Sequence, residues 1–172
     1  MSGQSTPIGL FWAEFCENKI AVFALIIVVL MILLALFASI ISPQNPYDLA
    51  SLSLMDSRRP PGFVGSGGYT HVLGTDPQGR DLLSAIFYGL RISIQIGLAA
   101  GFVSLTIGTA LGILAAYVGG RIEALIMRLV DLQLSFPAIL LALVIVALLG
   151  QGKAQLIGAL VAAQYAYFAR TA

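Results

Sequence analysis

His71, Asp76 and Asp81 fall close together in one polar stretch, and an imidazole beside two carboxylates is a donor set that could take a divalent cation. Such a trio also arises by chance in loops. The carboxylates have plainer uses: Asp76-Pro77 opens a turn, and Asp81 stands where a helix N-cap is needed. The glycine cluster from Gly65 to Gly68 lacks the lysine and the serine or threonine of a phosphate-cradling loop, so no ATP is expected to bind here. Arg128 and Asp131, three positions apart, can pair across one helical turn. At the edge of an apolar run they read as a structural anchor or as a gating or coupling contact. A single cysteine, Cys16, and a single histidine exclude an internal disulfide and most Cys/His metal sites. No catalytic residue, metal ligand or resident cofactor is expected in this chain.

The elements that must position these groups follow from composition. Of 172 residues, 59 % are hydrophobic and only 10 % charged, with a mean hydropathy of +0.95. Soluble domains run nearer about 45–50 % apolar and about 25 % charged. Lys and Arg number 9 against 8 Asp and Glu, which leaves neither a basic field for nucleic acid nor an acidic tail. The chain reads as an all-α, polytopic membrane helix bundle of about four spans.

The first apolar run, 20–41, lies between Lys19 and the turn sequence Ser42-Pro43. At about 1.5 Å per residue it reaches about 33 Å, enough for a hydrocarbon core of about 30 Å. Its length, the flanking Glu14 and Glu17 and the missing small-x-small cleavage site set it apart from a signal peptide. The second run, 92–120, exceeds one crossing, so it is tilted or its ends lie outside the lipid core. The third, 132–152, carries Pro137 near its start, where a proline kinks or caps the helix entry. The fourth, 154–169, is short and holds Gln155, Gln164, Tyr165 and Tyr167. It follows the third almost at once, as a tight hairpin or as part of one broken apolar unit.

Three regions result: 1–41, a terminal segment and first span; 42–91, a polar loop; and 92–172, a partial helical domain. The loop carries Pro43, Pro46, Arg58-Arg59-Pro60-Pro61 and the glycine cluster, all turn formers. From Asp81 to Arg91 the pattern becomes helical: Leu82, Leu83, Ile86, Phe87 and Leu90 share a face, with Asp81, Ser84 and Arg91 off it. A short amphipathic helix in the membrane interface is expected, leading into the second span. In that span Gly97, Gly101, Gly108 and Gly112 fall on one stripe within roughly 60°, a surface on which another helix can approach closely.

The segment LGTDPQGRDLLSAIFYGLRISIQIG closely resembles the entry to the second helix in the dipeptide/oligopeptide/nickel family of ABC importer permeases. Gly74, Thr75 and Asp76, then Gly79, Arg80 and Asp81, then Tyr88, Gly89, Arg91 and Ser93 match that family's pattern. Tyr117, Gly119, Gly120, Met127-Arg128, Val130-Asp131 and Pro137 are similarly placed, and Phe11-Trp12 and Asn18-Lys19 resemble the N-terminus of C-type permeases of the dipeptide system. The resemblance implies a type I ABC importer permease fold and a role in moving di- or oligopeptides, nickel or a related small solute inward. It implies a second permease subunit, two ATP-binding subunits that use the ATP, an extracytoplasmic solute-binding protein, and residence in the bacterial inner membrane. Family members are longer. Their fourth span leads into a cytoplasmic coupling loop, which 165–172, with Tyr165 and Arg170, is similar in approaching; a C-terminally truncated chain is therefore expected.

The family arrangement puts the N-terminus inside and the 42–91 loop outside. Charge does not decide it: Lys19, Arg121, Arg128 and Arg170 would then lie inside, and Arg58, Arg59, Arg80, Arg91 and Lys153 outside. Two other readings stand beside the importer. One is a non-transporting membrane scaffold, or an inactive truncated permease remnant. The other is a secondary transporter, which would typically carry midspan acids; the three longer runs have none.

Overall fold

The computed structural model describes residues 7–150 and 152–172. Among the described residues it is mainly helical, and the polar loop is irregular but for two short 3-10 turns and one small hairpin. The helices are α1 (Pro7–Glu17), α2 (Lys19–Leu36), α3 (Ala38–Ile41), α4 (Leu82–Val118), α5 (Gly120–Leu134), α6 (Ala138–Leu149) and α7 (Lys153–Thr171). Strands β1 (Phe63–Val64) and β2 (Thr70–His71) pair antiparallel, with Phe63 opposite His71. Two compact units divide at Ile92 and Ser93.

In the first unit, Asn18 ends α1 and starts α2. It is extended (φ −85°, ψ 95°), and its Oδ1 accepts from the backbone N–H of Ile20 and Ala21 at 3.1 and 3.2 Å. That satisfies two donors a helix start leaves open. Behind the cap, α2 is apolar on every side, and most of its large side chains from Ile20 to Leu36 are exposed, Val22 and Leu34 being half-buried. A helix of that kind is a membrane span rather than a surface helix. The expected 20–41 helix is interrupted at Phe37, after which α3 adds one turn.

One unbroken helix, α4, holds both the segment expected at the interface and the second apolar run. At about 1.5 Å per residue it is about 55 Å long, so part of it must project beyond a core of about 30 Å. By length and composition two helices can cross a membrane, Lys19–Leu36 and Leu82–Val118. Gly120–Leu134 and Ala138–Leu149, bent by 88° at their junction, make up to a third.

The second unit shows why the 132–152 run is not a single helix. The residue before a proline is pushed out of the α region, and proline cannot donate. Accordingly α5 stops at Leu134, Ser135 donates its hydroxyl to the Leu132 carbonyl at 2.6 Å, and Pro137 caps α6. Gly150, at φ +87°, closes α6 in a backbone region that glycine enters without strain. Against these helices α7 turns Ala159, Ala163, Ala166 and Ala169, all buried. Ala166 and Ala169 pack on Val130, with Leu111, Ile126, Leu134 and Tyr165 around them.

Candidate functional site

The loop motif builds a polar knot at the start of α4. Asp81 is its hub. Its Oδ2 accepts from the backbone N–H of Ser84 at 2.7 Å, which is the helix cap, and its Oδ1 holds His71 Nδ1 at 3.0 Å. The Asp81 backbone N–H donates to Gln44 Oε1 at 2.7 Å, while Gln44 Nε2 donates to the Ser51 carbonyl at 3.0 Å. His71 and Asp81 are 1 % and 0 % exposed; Asp81 satisfies Nδ1 of the imidazole, while Nε2 is buried without a hydrogen-bond partner among the described residues. The His71 ring stacks on Phe63, centroids 6.3 Å apart, with the edge of Tyr69 at 5.1 Å. The guanidinium of Arg59 covers the Phe63 ring at 5.1 Å.

Asp76 closes the adjacent turn upon itself. Its Oδ1 accepts from the N–H of Gln78 at 2.8 Å and of Arg80 at 3.0 Å, and its Oδ2 accepts from Arg80 Nε at 2.7 Å. Burial pushes this carboxyl up, but the hydrogen bonds from Arg80 and Gln78 outweigh it and hold the group below its ordinary value. Thr75 Oγ1 accepts from the Arg59 N–H at 2.8 Å and donates to the Asp56 carbonyl. Asp56 Oδ2 accepts from the hydroxyl and the N–H of Ser66, at 2.7 and 2.8 Å, and these bonds lower its pKa.

The two motif glycines are required by close approach. Gly74 (φ +81°) lies against the Arg59 carbonyl and Pro60, and Gly79 (φ +77°) against the Ser53 carbonyl, so that any Cβ would collide with backbone. Arg91 lies half-buried on α4, beyond the knot.

The trio drawn from sequence as a cation site is not brought together. His71 goes to Asp81, and Asp76 goes to Arg80. Among the described residues no three His, Cys, Asp or Glu side chains gather as a metal would need. Asp56, Gln44 and Ser66 belong to no motif in the sequence, and Arg59 stands there only as part of a turn. Gln44 sits thirty-seven positions from Asp81 and carries no local pattern that would announce the contact. Beside the knot a polar cleft of about 430 Å³ opens between Gln44, Asn45, Asp48, Ser53, Ser66 and Tyr69. Burial, chiefly, raises the pKa of Tyr69 there.

In the second unit the Arg128–Asp131 contact expected across one turn gives way to another. Asp131 Oδ1 pairs with Arg170 Nη1 at 3.0 Å, joining α5 to α7. Tyr165 donates its hydroxyl to Gln133 Oε1 at 3.1 Å, and the Gln133 amide donates to the Ala162 carbonyl. The glycine stripe of α4 divides in two. Gly108 packs on the Tyr165 carbonyl and Phe168, and Gly112 on Ala169 and Ala172, whereas a Cβ at Gly97 or Gly101 would meet nothing within 4 Å. The covered line on α4 runs through Ala100, Ser104, Gly108, Gly112 and Ala115, every third or fourth residue.

Residues 6–61 match the family described as the N-terminal TM domain of oligopeptide transport permease C. The di/tripeptide transport system permease protein DppC of Pseudomonas aeruginosa is 41 % identical over 147 residues, which is 86 % of this chain and 48 % of that protein. The glutathione transport system permease protein GsiD of Pectobacterium atrosepticum is 36 % identical over 168 residues, 96 % of this chain and 52 % of that one. The oligopeptide transport system permease protein OppC of Bacillus subtilis is 36 % identical over 139 residues, 81 % of this chain and 43 % of that one. The chain spans about half the length of the curated relatives it matches.

Proposed function

From the chain's place in the dipeptide and oligopeptide transport permease family, we propose that it acts as a membrane-spanning subunit of an ATP-driven importer of di- or oligopeptides. The observation that carries this reading is the identity of 36 to 41 % to named transport permeases across most of the chain. The same names favour a permease over a scaffold or an ion-coupled carrier. Nickel or a related small solute is the second cargo that the family resemblance brings.

In this reading the chain holds no cofactor, and ATP is used by two partner ATP-binding subunits. A second permease subunit completes the pore, and a solute-binding protein delivers the peptide from outside the bacterial inner membrane. The N-terminus lies inside. The 42–91 knot lies outside, where a rigid polar cap at the head of α4 meets the binding protein. Alternating access requires helices with two discrete packings. The sharp α5–α6 bend and the small-residue contact of α7 with α4 supply elements that can slide without large side chains interlocking, and the Asp131–Arg170 pair joins α5 and α7 on the cytoplasmic side.

The test is affinity purification of this chain from gently solubilised native membranes, with partners identified by mass spectrometry, together with labelled dipeptide uptake in cells with and without it. Recovery of an ATP-binding subunit and a second permease, with uptake lost on deletion, supports the reading. A chain recovered without an ATPase, in cells whose peptide uptake is unchanged by deletion, overturns it.

A further inference from the structure

Helix α1 takes no part in the knot. In α1, Ile8, Phe11, Trp12 and Phe15 fall within an arc of roughly 100° at about 100° per residue. Phe11, Trp12 and Phe15 form one ring cluster, with centroids 5.7 to 6.2 Å apart, yet Phe11 and Trp12 are 62 % and 51 % exposed. Glu14 and Glu17 fall on the opposite side, with Leu10 between them. One extended residue, Asn18, separates this helix from α2, whose apolar length is that of a membrane span.

We propose that α1 is an interfacial anchor, lying in the headgroup region of the bilayer with its aromatic face towards the acyl chains, at the point where α2 enters. Continuity decides the occupant. The chain passes from Glu17 to Lys19 through a single residue, at most about 7 Å from Cα to Cα, so the end of α1 cannot leave the membrane surface once α2 is inserted. A helix held there with a tryptophan and two phenylalanines on one face and two carboxylates on the other has one low-energy orientation. Its rings replace water at the level where aromatic side chains collect, and its acids stay wet. Charge also says which attraction is at work. The helix has no lysine or arginine, so anionic lipid gives it nothing, and burial of the apolar face is the driving term.

The chain carries a single tryptophan, Trp12, which makes the proposal directly readable. The full chain is reconstituted in bilayers of zwitterionic phosphatidylcholine, and Trp12 fluorescence is quenched either by lipids brominated on the upper acyl chain or by aqueous acrylamide. The expected result is loss of most of the emission to brominated lipid and little to acrylamide, unchanged when half the lipid is phosphatidylglycerol. A Phe11→Ser/Phe15→Ser variant should shift the emission to the red and reverse the two sensitivities, while α2 keeps the chain in the membrane. A Phe11→Leu/Phe15→Leu variant should keep the parent pattern. Emission quenched by acrylamide in the parent chain would place α1 in water, and emission shielded from both quenchers would place its aromatic face against protein; either result overturns the proposal.

Discussion

The 42–91 loop and the helical unit from Ser93 onward bury opposite kinds of residue. In the loop the interior is polar: Gln44, Asp56, His71, Thr75 and Asp81 are all buried. In the helical unit the buried positions are mostly alanine and glycine, while Phe102, Ile113, Leu140 and Leu148 stand exposed. The helix that joins them changes character along its length. Near its start Asp81 and Ser84 face inward, and Leu82 and Ile86 are 37 % and 55 % exposed. The difference reflects two solvents. A segment in water that lacks an apolar core closes by satisfying specific hydrogen bonds between distant residues. Helices in lipid gain nothing by hiding leucine from a solvent equally apolar, so they associate through small residues that let backbones approach.

That contrast can be broken at chosen positions. The largest effect is expected at Gly79. Valine there is forced into a left-handed conformation, at a cost of about 1–3 kcal/mol, and in addition collides with the Ser53 carbonyl, which together should open the knot. Limited proteolysis should cut the 42–91 loop of Gly79→Val at protease concentrations that leave the parent intact, with the helical unit still protected.

A smaller effect is expected from Gly108→Leu, where overpacking against the Tyr165 carbonyl and Phe168 should cost about 1–3 kcal/mol and loosen α7. Gly101→Leu, in open space, should leave the chain's own packing unchanged. Amide exchange along α7 would report it: faster in the first variant and as slow as in the parent in the second. Equal rates in both variants would deny that the stripe divides in two.

Acid should act on the loop alone. Asp56 and Asp76 have folded pKa values below the 3.8 of the unfolded chain, so the stability they contribute is fully present above that value. It is lost as pH falls below 3.8 through the folded values. Amide exchange at Ser66 and Arg80 should be insensitive to these groups from neutral pH down to that point and then lose protection, while amides of α6 and α7 hold. The smallest effect belongs to Asp131 and Arg170. Both are 54 % exposed, and Asp131→Asn should cost about 0–1 kcal/mol of thermal stability. A functional role would appear only as a larger loss of uptake, restored by the charge-swapped pair Asp131→Arg with Arg170→Asp.

Some of this is legible in the sequence. Asp81 as a helix cap and Asp76-Pro77 as a turn are local features, and local chemistry reads from neighbouring residues. The apolar runs marked α2 and most of α4 for the same reason. The partner of His71, the anchoring of Asp81 by Gln44 and the pairing of Asp131 with Arg170 were not legible, because each joins residues from ten to thirty-nine positions apart. The glycine stripe was half read: periodicity finds a face, but it does not say how far along that face a neighbour reaches.

Composition and periodicity by themselves determined that this chain is a membrane protein built of helices, since a 59 % hydrophobic chain has no watery alternative in which to hide those runs. They also determined where the polar loop must lie. Only the tertiary structure decided that the loop closes around a buried histidine–aspartate pair and that the third apolar run breaks at Pro137. It alone decided, too, that α7 chooses Gly108 and Gly112 of the stripe. The reason is the range of the forces. Hydropathy acts on each residue alone and sums along the chain, whereas a hydrogen bond or a close backbone contact needs two partners whose meeting no single stretch of sequence contains.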